Sequence, residues 1–83
     1  RSPTSPAKIV VVEDEKLVAD DLRETLELLG YEVVDSVATG EEAILAASVT
    51  QPDLVLMDIR LRGAMDGIEA AKTIQAQMGL PIV

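Results

Sequence analysis

Two short apolar runs that end in acidic side chains constrain the fold more than any other feature of the chain. Residues 9–12 are an uninterrupted β-branched run, and Glu13 and Asp14 follow it directly. Residues 54–57 form a second apolar run, which Asp58 follows. Runs of this length are typical of strands buried on both faces, and such strands occur mainly in parallel sheets that helices cover on both sides.

Amphipathic helical patterns separate the predicted strands. The first helix has one apolar face and is expected to end at Gly30, because glycine readily adopts the left-handed conformation that closes many helices. That apolar face is expected to contain Val18, Leu22, Leu26 and Leu29. A more polar second strand is predicted at residues 31–38, and a second helix from Thr39 to about Val49.

A third helix is predicted after the charged, glycine-containing loop at residues 58–66, and Gly79 should end it. Its apolar side is expected to contain Ile68, Ala71, Ile74 or Gln75, and Met78. Residues 80–83 then begin a fourth strand. This alternation of strands and helices favours an α/β fold with a parallel sheet and right-handed crossovers. We assign residues 8–83 to one such domain and residues 1–7, which contain two prolines and two serines, to a linker or disordered arm.

The acidic residues after the predicted strands form the candidate site. In open α/β sheets, ligands bind at the carboxyl ends of the strands. If the first strand lies beside the third, as in the flavodoxin-like order, Glu13, Asp14 and Asp58 converge at one edge of the sheet. Carboxylates so close together repel one another, and a bound cation removes that cost. Oxygen ligands select Mg²⁺, Ca²⁺ or Mn²⁺, and a shallow site with few protein ligands fits Mg²⁺.

Phosphoryl transfer is the chemistry that such a site supports. This reaction depends mainly on positioning and electrostatic stabilisation, and a carboxylate can act as its nucleophile. Asp58 is therefore the candidate phosphoacceptor, and Glu13 and Asp14 are the candidate metal ligands.

A structural interpretation competes with this one at several acidic positions. Asp14 or Glu15 could simply cap the first helix. Asp53 is interpreted as a turn residue, and Asp66 as the cap of the third helix. Among the basic residues, Arg60 stands where its side chain could face the site.

Composition narrows the classes of function. The net charge of −8 argues against binding to nucleic acid or to anionic membrane surfaces. Because the chain has no cysteine and no histidine, it forms no disulfide, thiolate metal site or imidazole base. No apolar run is long enough to span a bilayer, and the first residues lack the apolar segment of a signal peptide. We therefore expect a cytoplasmic protein.

Three segments, taken in order, resemble the receiver domains of two-component response regulators. They are KIVVVEDE at the first strand, PDLVLMDIRLRGAMDGIEAAKTI around Asp58, and LPIV at the fourth strand. The resemblance covers residues 8–83, and the three segments at this spacing are highly specific together. It implies the flavodoxin-like, doubly wound parallel sheet of that family.

The resemblance also implies a role for each matching residue. Asp58 matches the phosphoacceptor, Asp14 a direct Mg²⁺ ligand, and Glu13 an acidic neighbour that acts on the metal through water. Arg60 matches the position whose backbone carbonyl binds the metal, and Gly67 the glycine that opens the third helix. The implied partner is a sensor histidine kinase or a phosphotransfer protein, and the chain itself is expected not to be an enzyme.

Two departures from the family pattern qualify this expectation. Arg62 stands where many receivers have proline, in a loop that is one residue longer. The family's switch serine or threonine and its lysine fall beyond Val83, and Lys8, Lys16 and Lys72 do not match the lysine position. We therefore expect a receiver that is incomplete at its C-terminus, impaired or inactive in phosphotransfer, and able to self-associate through a fourth strand at an open sheet edge.

Three other classes of protein remain to be weighed. A phosphatase of the haloacid dehalogenase type needs a second acid two residues after its aspartate, where this chain has Arg60. A nucleotide- or flavin-binding module needs a phosphate-binding loop after the first strand, where Glu13, Asp14 and Glu15 would repel phosphate. The alternative that stays open is a module for interaction or dimerisation that is never phosphorylated.

Overall fold

Strands and helices alternate strictly along the chain in the computed structural model, which describes residues 6–58, 61 and 65–83. The strands formed by these residues are β1 (Lys8–Val12), β2 (Glu32–Val37) and β3 (Leu54–Met57). The helices are α1 (Lys16–Leu28), α2 (Gly40–Thr50) and α3 (Gly67–Met78). The predicted α/β architecture is therefore confirmed.

β1 is the central strand of the sheet. The strand order is β2-β1-β3, and both pairs are parallel. Each residue from 9 to 12 is at most 2% exposed, so β1 is buried on both faces, as its β-branched run predicts. This order also places β1 beside β3, which is the condition on which the predicted acidic site depends.

The last residues of the chain extend the sheet beyond β3. The Val55 N–H donates to the Pro81 carbonyl (3.0 Å), and the Val83 N–H donates to the Val55 carbonyl (3.0 Å). The Met57 N–H donates to the Val83 carbonyl (2.9 Å). The fourth strand predicted at residues 80–83 thus lies beside β3, on the side away from β1, as a short parallel segment.

The two faces of the sheet are covered unequally. The core under α2 and α3 contains the buried residues Val10, Val12, Ala43, Ala46, Ala47, Val55, Met57, Leu61, Ala70 and Ile74. The core under α1 is smaller, with the buried residues Ile9, Val11 and Val33. The prediction that β3 is buried on both faces is wrong for Leu54 and Leu56, which are only half-buried. The reason is that α1 packs mainly on β1 and β2.

The buried face of α1 is rotated relative to the sequence prediction. Ala19 is the buried residue, and Leu22 and Leu26 pack on the core beside it. Val18 and Leu29 were expected on this face, but they are 41% and 69% exposed. Ala19, which the pattern of large apolar residues leaves out, is the residue of α1 that faces the sheet.

The buried face of α3 is also rotated. Its buried residues are Gly67, Ala70 and Ile74, and Met78 is half-buried. Ile68 was expected on this face, but it is 51% exposed. α3 packs against α2 as well as on the sheet, and the small residues at 67 and 70 favour this close helix–helix contact.

Left-handed residues end the helices, as predicted at two of the three ends. Gly30 has φ = +94° just after α1, and Gly79 has φ = +66° at the end of α3. At the end of α2 the left-handed residue is Gln51, with φ = +47°, which the sequence does not reveal. None of the helices formed by the described residues is long and apolar enough to cross a membrane.

Candidate functional site

Three carboxylates meet where β1 and β3 end. Glu13 and Asp14 follow β1, and Asp58 follows β3. The Asp58 N–H donates to the carbonyl of Val12 (2.9 Å), so the pairing of β1 with β3 continues one residue beyond the strand. One oxygen from each carboxylate lies within 4.8 Å of an oxygen of the other two, and all three residues are half-buried. The structure therefore brings the three predicted side chains together; we call this group the acidic pocket.

Main-chain contacts fix the position of Glu13 within the acidic pocket. Its N–H donates to the carbonyl of Val37 at the end of β2 (3.0 Å). Its side-chain Oε2 accepts a hydrogen bond from the N–H of Glu15 (3.0 Å). The end of β2 thus holds the backbone of Glu13, and the segment that leads into α1 holds its carboxylate.

Like charges and partial burial act together on Glu13. Its pKa is raised from the ordinary value, first by partial burial and also by a hydrogen bond with Asp14 and by the charges of Asp58 and Asp14. The hydrogen bond from the Glu15 N–H acts in the opposite direction. The net rise means that the pocket disfavours a full set of negative charges, which is the electrostatic condition that a bound cation relieves.

The donor set of the acidic pocket fits Mg²⁺. All three side chains offer hard carboxylate oxygens, which magnesium prefers. Oxygens on opposite sides of one Mg²⁺ lie about 4.2 Å apart, so oxygens within 4.8 Å of one another need only a small adjustment to share an ion. The Arg60 carbonyl, implied by the family resemblance as a further ligand, lies outside the described residues.

An open groove leads away from the acidic pocket between α1 and the end of β2. It begins at Glu13 and Asp14, and Lys16, Asp20, Arg23 and Glu42 also line it. Lys16 forms an exposed ion pair with Asp20 one helical turn away (3.1 Å). The surroundings of the pocket are therefore polar and open to solvent, not an enclosed cavity.

The structural interpretations of nearby acidic residues have different outcomes. Glu15 occupies the N-cap position of α1, but its side chain makes no capping hydrogen bond, so that interpretation is wrong for Glu15. Asp53 is structural as predicted, because its Oδ2 accepts from the N–H of Lys8 (2.7 Å) and its own N–H donates to the Lys8 carbonyl (2.8 Å). Asp66 caps α3 as predicted, by accepting from the N–H of Glu69 (2.9 Å).

Two features beside the site were not identified from the sequence. One is the main-chain carbonyl of Val37, because a pattern of side chains in the sequence does not predict main-chain contacts. The other is Gly40, a buried glycine at the first position of α2 that packs against Met65 in the segment following Asp58. The signal in the sequence was a glycine directly after the N-cap Thr39. Residues with a side chain are usually more favourable than glycine in a helix, so a glycine here indicates a close contact.

Comparison with known proteins decides the family. The model of the response regulator receiver domain matches residues 9–83. The chain belongs to the receiver domain family of response regulators. Its transcriptional relatives include the regulatory protein PdtaR of Mycobacterium tuberculosis, 41% identical over 78 residues that cover 94% of this chain and 38% of PdtaR. The alkaline phosphatase synthesis regulatory protein PhoP of Bacillus subtilis is 40% identical over 70 residues, which cover 84% of this chain and 28% of PhoP.

Solved structures agree with the family and with the fold. The receiver domain of a modulated diguanylate cyclase from Desulfovibrio desulfuricans G20 is 44% identical, with a TM-score of 0.88 over 93% of this chain and 62% of that one. PhyR from Bartonella quintana, solved in complex with the anti-sigma factor NepR, is 32% identical, with a TM-score of 0.85 over 93% of this chain and 32% of that one. The flavodoxin-like receiver fold implied by the sequence resemblance is confirmed. The chain spans about a third of the length of the curated relatives described above.

Proposed function

We propose that this receiver domain is the phosphoacceptor of a two-component phosphorelay and that Asp58 takes the phosphoryl group. The observation that supports this function is the position of Asp58 at the carboxyl end of β3, within 4.8 Å of two further carboxylates. The donor in this proposal is the phosphohistidine of a sensor kinase or phosphotransfer protein, which the receiver meets in the cytoplasm.

The proposed reaction is a single displacement at phosphorus. A carboxylate oxygen of Asp58 attacks, a new O–P bond forms, and the P–N bond to the donor imidazole breaks. The electron pair of that bond stays on the leaving nitrogen, and the product on Asp58 is an acyl phosphate. The phosphoryl group remains on the protein's own side chain, so the domain acts as an acceptor and not as an enzyme with turnover.

Glu13 and Asp14 have the supporting role in this proposal. Their carboxylates would hold Mg²⁺ beside Asp58. When bound, Mg²⁺ neutralises the repulsion within the acidic pocket and stabilises the negative charge on the transferring phosphoryl oxygens. The hydrogen bonds from Glu13 to Val37 and from Glu15 to Glu13 keep these groups in place before the donor arrives.

The test of this function compares two aspartates at opposite ends of β3. The complete receiver domain is incubated with acetyl phosphate and Mg²⁺, and its intact mass is followed. We expect Asp58→Asn to abolish the addition of a phosphoryl group. Asp53→Asn should leave it unchanged, because Asp53 binds Lys8 at the far end of the sheet and an asparagine oxygen can still accept that hydrogen bond. Phosphorylation that persists in the Asp58 variant would place the nucleophile elsewhere.

A second candidate function is that of an interaction module without phosphotransfer. The observation that favours it is the structural similarity to a PhyR protein that was solved with an anti-sigma factor. If this function is the correct one, acetyl phosphate adds no mass to the unaltered protein, and Asp58→Asn leaves its binding to partner proteins unchanged.

A further inference from the structure

Gly40 sits in a space that has no room for a side chain. It is buried at the start of α2. A Cβ atom built there would lie 3.0 Å from Cγ of Met65, 3.1 Å from the Met65 carbonyl oxygen and 3.2 Å from Cβ of Ala70. Two of these three neighbours are backbone or attached directly to backbone, so they cannot simply rotate away. The start of α2 and the segment before α3 are therefore in direct contact.

This contact joins the start of α2, which follows the end of β2 beside the acidic pocket, to the segment before α3. On one side, Gly40 follows the end of β2, where the Val37 carbonyl accepts the hydrogen bond from the N–H of Glu13 (3.0 Å). On the other side, Met65 lies in the segment that runs from Asp58 to α3. Leu61 in the same segment is only 7% exposed, and both Leu61 and Met65 pack on the core under α2 and α3.

We infer that Gly40 is a positioning residue for the acidic pocket: its missing side chain lets the start of α2 pack against Met65 and, through the end of β2, sets the spacing between Glu13 and Asp58. This inference rests on the proposed function, because that spacing matters only if the carboxylates bind a shared cation. Gly40 touches neither the cation nor the phosphoryl group. It acts through the end of β2, where the Val37 carbonyl accepts the hydrogen bond from the N–H of Glu13.

The geometry of magnesium makes a small displacement measurable. A methyl group at position 40 requires its neighbours to move by a few tenths of an ångström, because contacts of 3.0–3.2 Å are shorter than ordinary van der Waals distances. Mg²⁺ demands Mg–O distances close to 2.0–2.1 Å and tolerates distortion poorly. We expect Gly40→Ala to weaken Mg²⁺ binding by about threefold to tenfold.

The experiment is a Mg²⁺ titration of the protein, followed through the amide NMR signals of Glu13, Asp14 and Asp58. The matched control is Gly79→Ala. Gly79 has a positive φ of +66° at the end of α3, and a Cβ there would meet no described heavy atom within 4 Å. This control lowers stability through backbone strain without pressing on the segment that contains Met65. We expect it to bind Mg²⁺ as the unaltered protein does.

A second variant separates positioning from a loss of fold. Met65→Ala removes the Cγ atom that fills the space beside Gly40, and it too should weaken Mg²⁺ binding. In the Met65→Ala background, Gly40→Ala should cost less affinity than it does alone, because the side-chain part of the clash has gone. If Gly40→Ala does not fold, the affinity of Met65→Ala decides the question by itself.

Each outcome of the titration has a distinct meaning. If Gly40→Ala folds and binds Mg²⁺ with unchanged affinity, the inference is overturned and the proposed function still stands. If Gly40→Ala does not fold, unchanged affinity in Met65→Ala has the same meaning. Equal losses in Gly40→Ala and Gly79→Ala also overturn it, because a general loss of stability would then explain both. If the unaltered protein gives no Mg²⁺ response at the acidic pocket, the proposed magnesium site and this inference fail together.

Discussion

The carboxylate of Glu13 lies among like charges, and its protonation therefore affects the stability of the protein. Its pKa is raised in the folded protein, mainly by partial burial. The folded state therefore binds this proton more tightly than the unfolded chain does. By linkage, the contribution of Glu13 to stability is fully present below its ordinary pKa of 4.5 and is lost as the pH rises through the higher folded-state pKa.

Glu13→Gln should therefore increase the free energy of unfolding of the metal-free protein at pH 7. The expected gain is at most about 0.5 kcal/mol, because solvent screens a half-exposed charge, and it should shrink toward pH 4. Urea unfolding in the presence of a chelator at both pH values measures it. Glu24→Gln, on the exposed surface of α1, is the matched control for the loss of one negative charge. A Glu13→Gln variant that is less stable than the unaltered protein at pH 7 would contradict this account.

The sequence predicted which side chains form the acidic pocket but not what holds them there. Glu13, Asp14 and Asp58 were identifiable because acids directly after buried strands meet at one edge of a parallel sheet. The contact between Gly40 and Met65 was not, because it depends on how closely α2 approaches α3. That distance is set by packing between elements far apart in sequence, which no local pattern encodes.

Helix ends differ in how their unpaired N–H groups are satisfied. Asp66 accepts a hydrogen bond from the N–H of Glu69 at the start of α3 (2.9 Å). Thr39 accepts one from the N–H of Glu42 at the start of α2 (3.1 Å), and Glu42 in turn accepts from the N–H of Ala38 (3.2 Å). α1 begins without a side-chain cap. The three helices therefore depend unequally on their N-cap side chains.

Asp66→Ala should destabilise the protein by about 1 kcal/mol, because it leaves the first turn of α3 without its acceptor. Glu15→Ala, at the equivalent position of α1, should cost less than about 0.5 kcal/mol, since no capping hydrogen bond is lost. Chemical denaturation of both variants gives the comparison. Equal losses at the two positions would mean that the Asp66 hydrogen bond contributes little.

Periodicity located every helix but misplaced two of their buried faces. An apolar stripe specifies a face only to within a fraction of a turn, since large apolar residues at its border can remain exposed. In α1 and α3 the residues that actually face the core are shifted toward small side chains, Ala19 in one case and Gly67 and Ala70 in the other. Small residues rank low in hydrophobic patterns, yet they permit the closest approach between elements.

For the molecule as a whole, part of the exposed apolar surface of the described residues lines a shallow groove beside the last residues. Ile68 on α3 is 51% exposed and Val83 is 72% exposed. The groove between them is also lined by Met57, Ala71 and Ile82, with Lys72 and Gln75 as its polar members. Contiguous apolar surface of this kind favours contact with another chain. The net charge of −8 opposes that contact between identical copies, because each copy repels the other.

Because the groove and the adjoining sheet edge are open, we expect a polypeptide of these 83 residues to self-associate through them. Salt should strengthen this association, because it screens the charge repulsion between the copies. Size-exclusion chromatography with light scattering, at several protein and salt concentrations, measures the effect. Ile68→Lys should shift the polypeptide toward monomer by replacing an apolar side chain of the groove with a further charge beside Lys72. Leu17→Lys is the matched control, because Leu17 is 84% exposed on α1, outside the groove, and the substitution makes the same change in charge. An unaltered polypeptide that stays monomeric at every concentration would refute the prediction. If Ile68→Lys and Leu17→Lys have equal effects, charge alone, and not the groove, governs assembly.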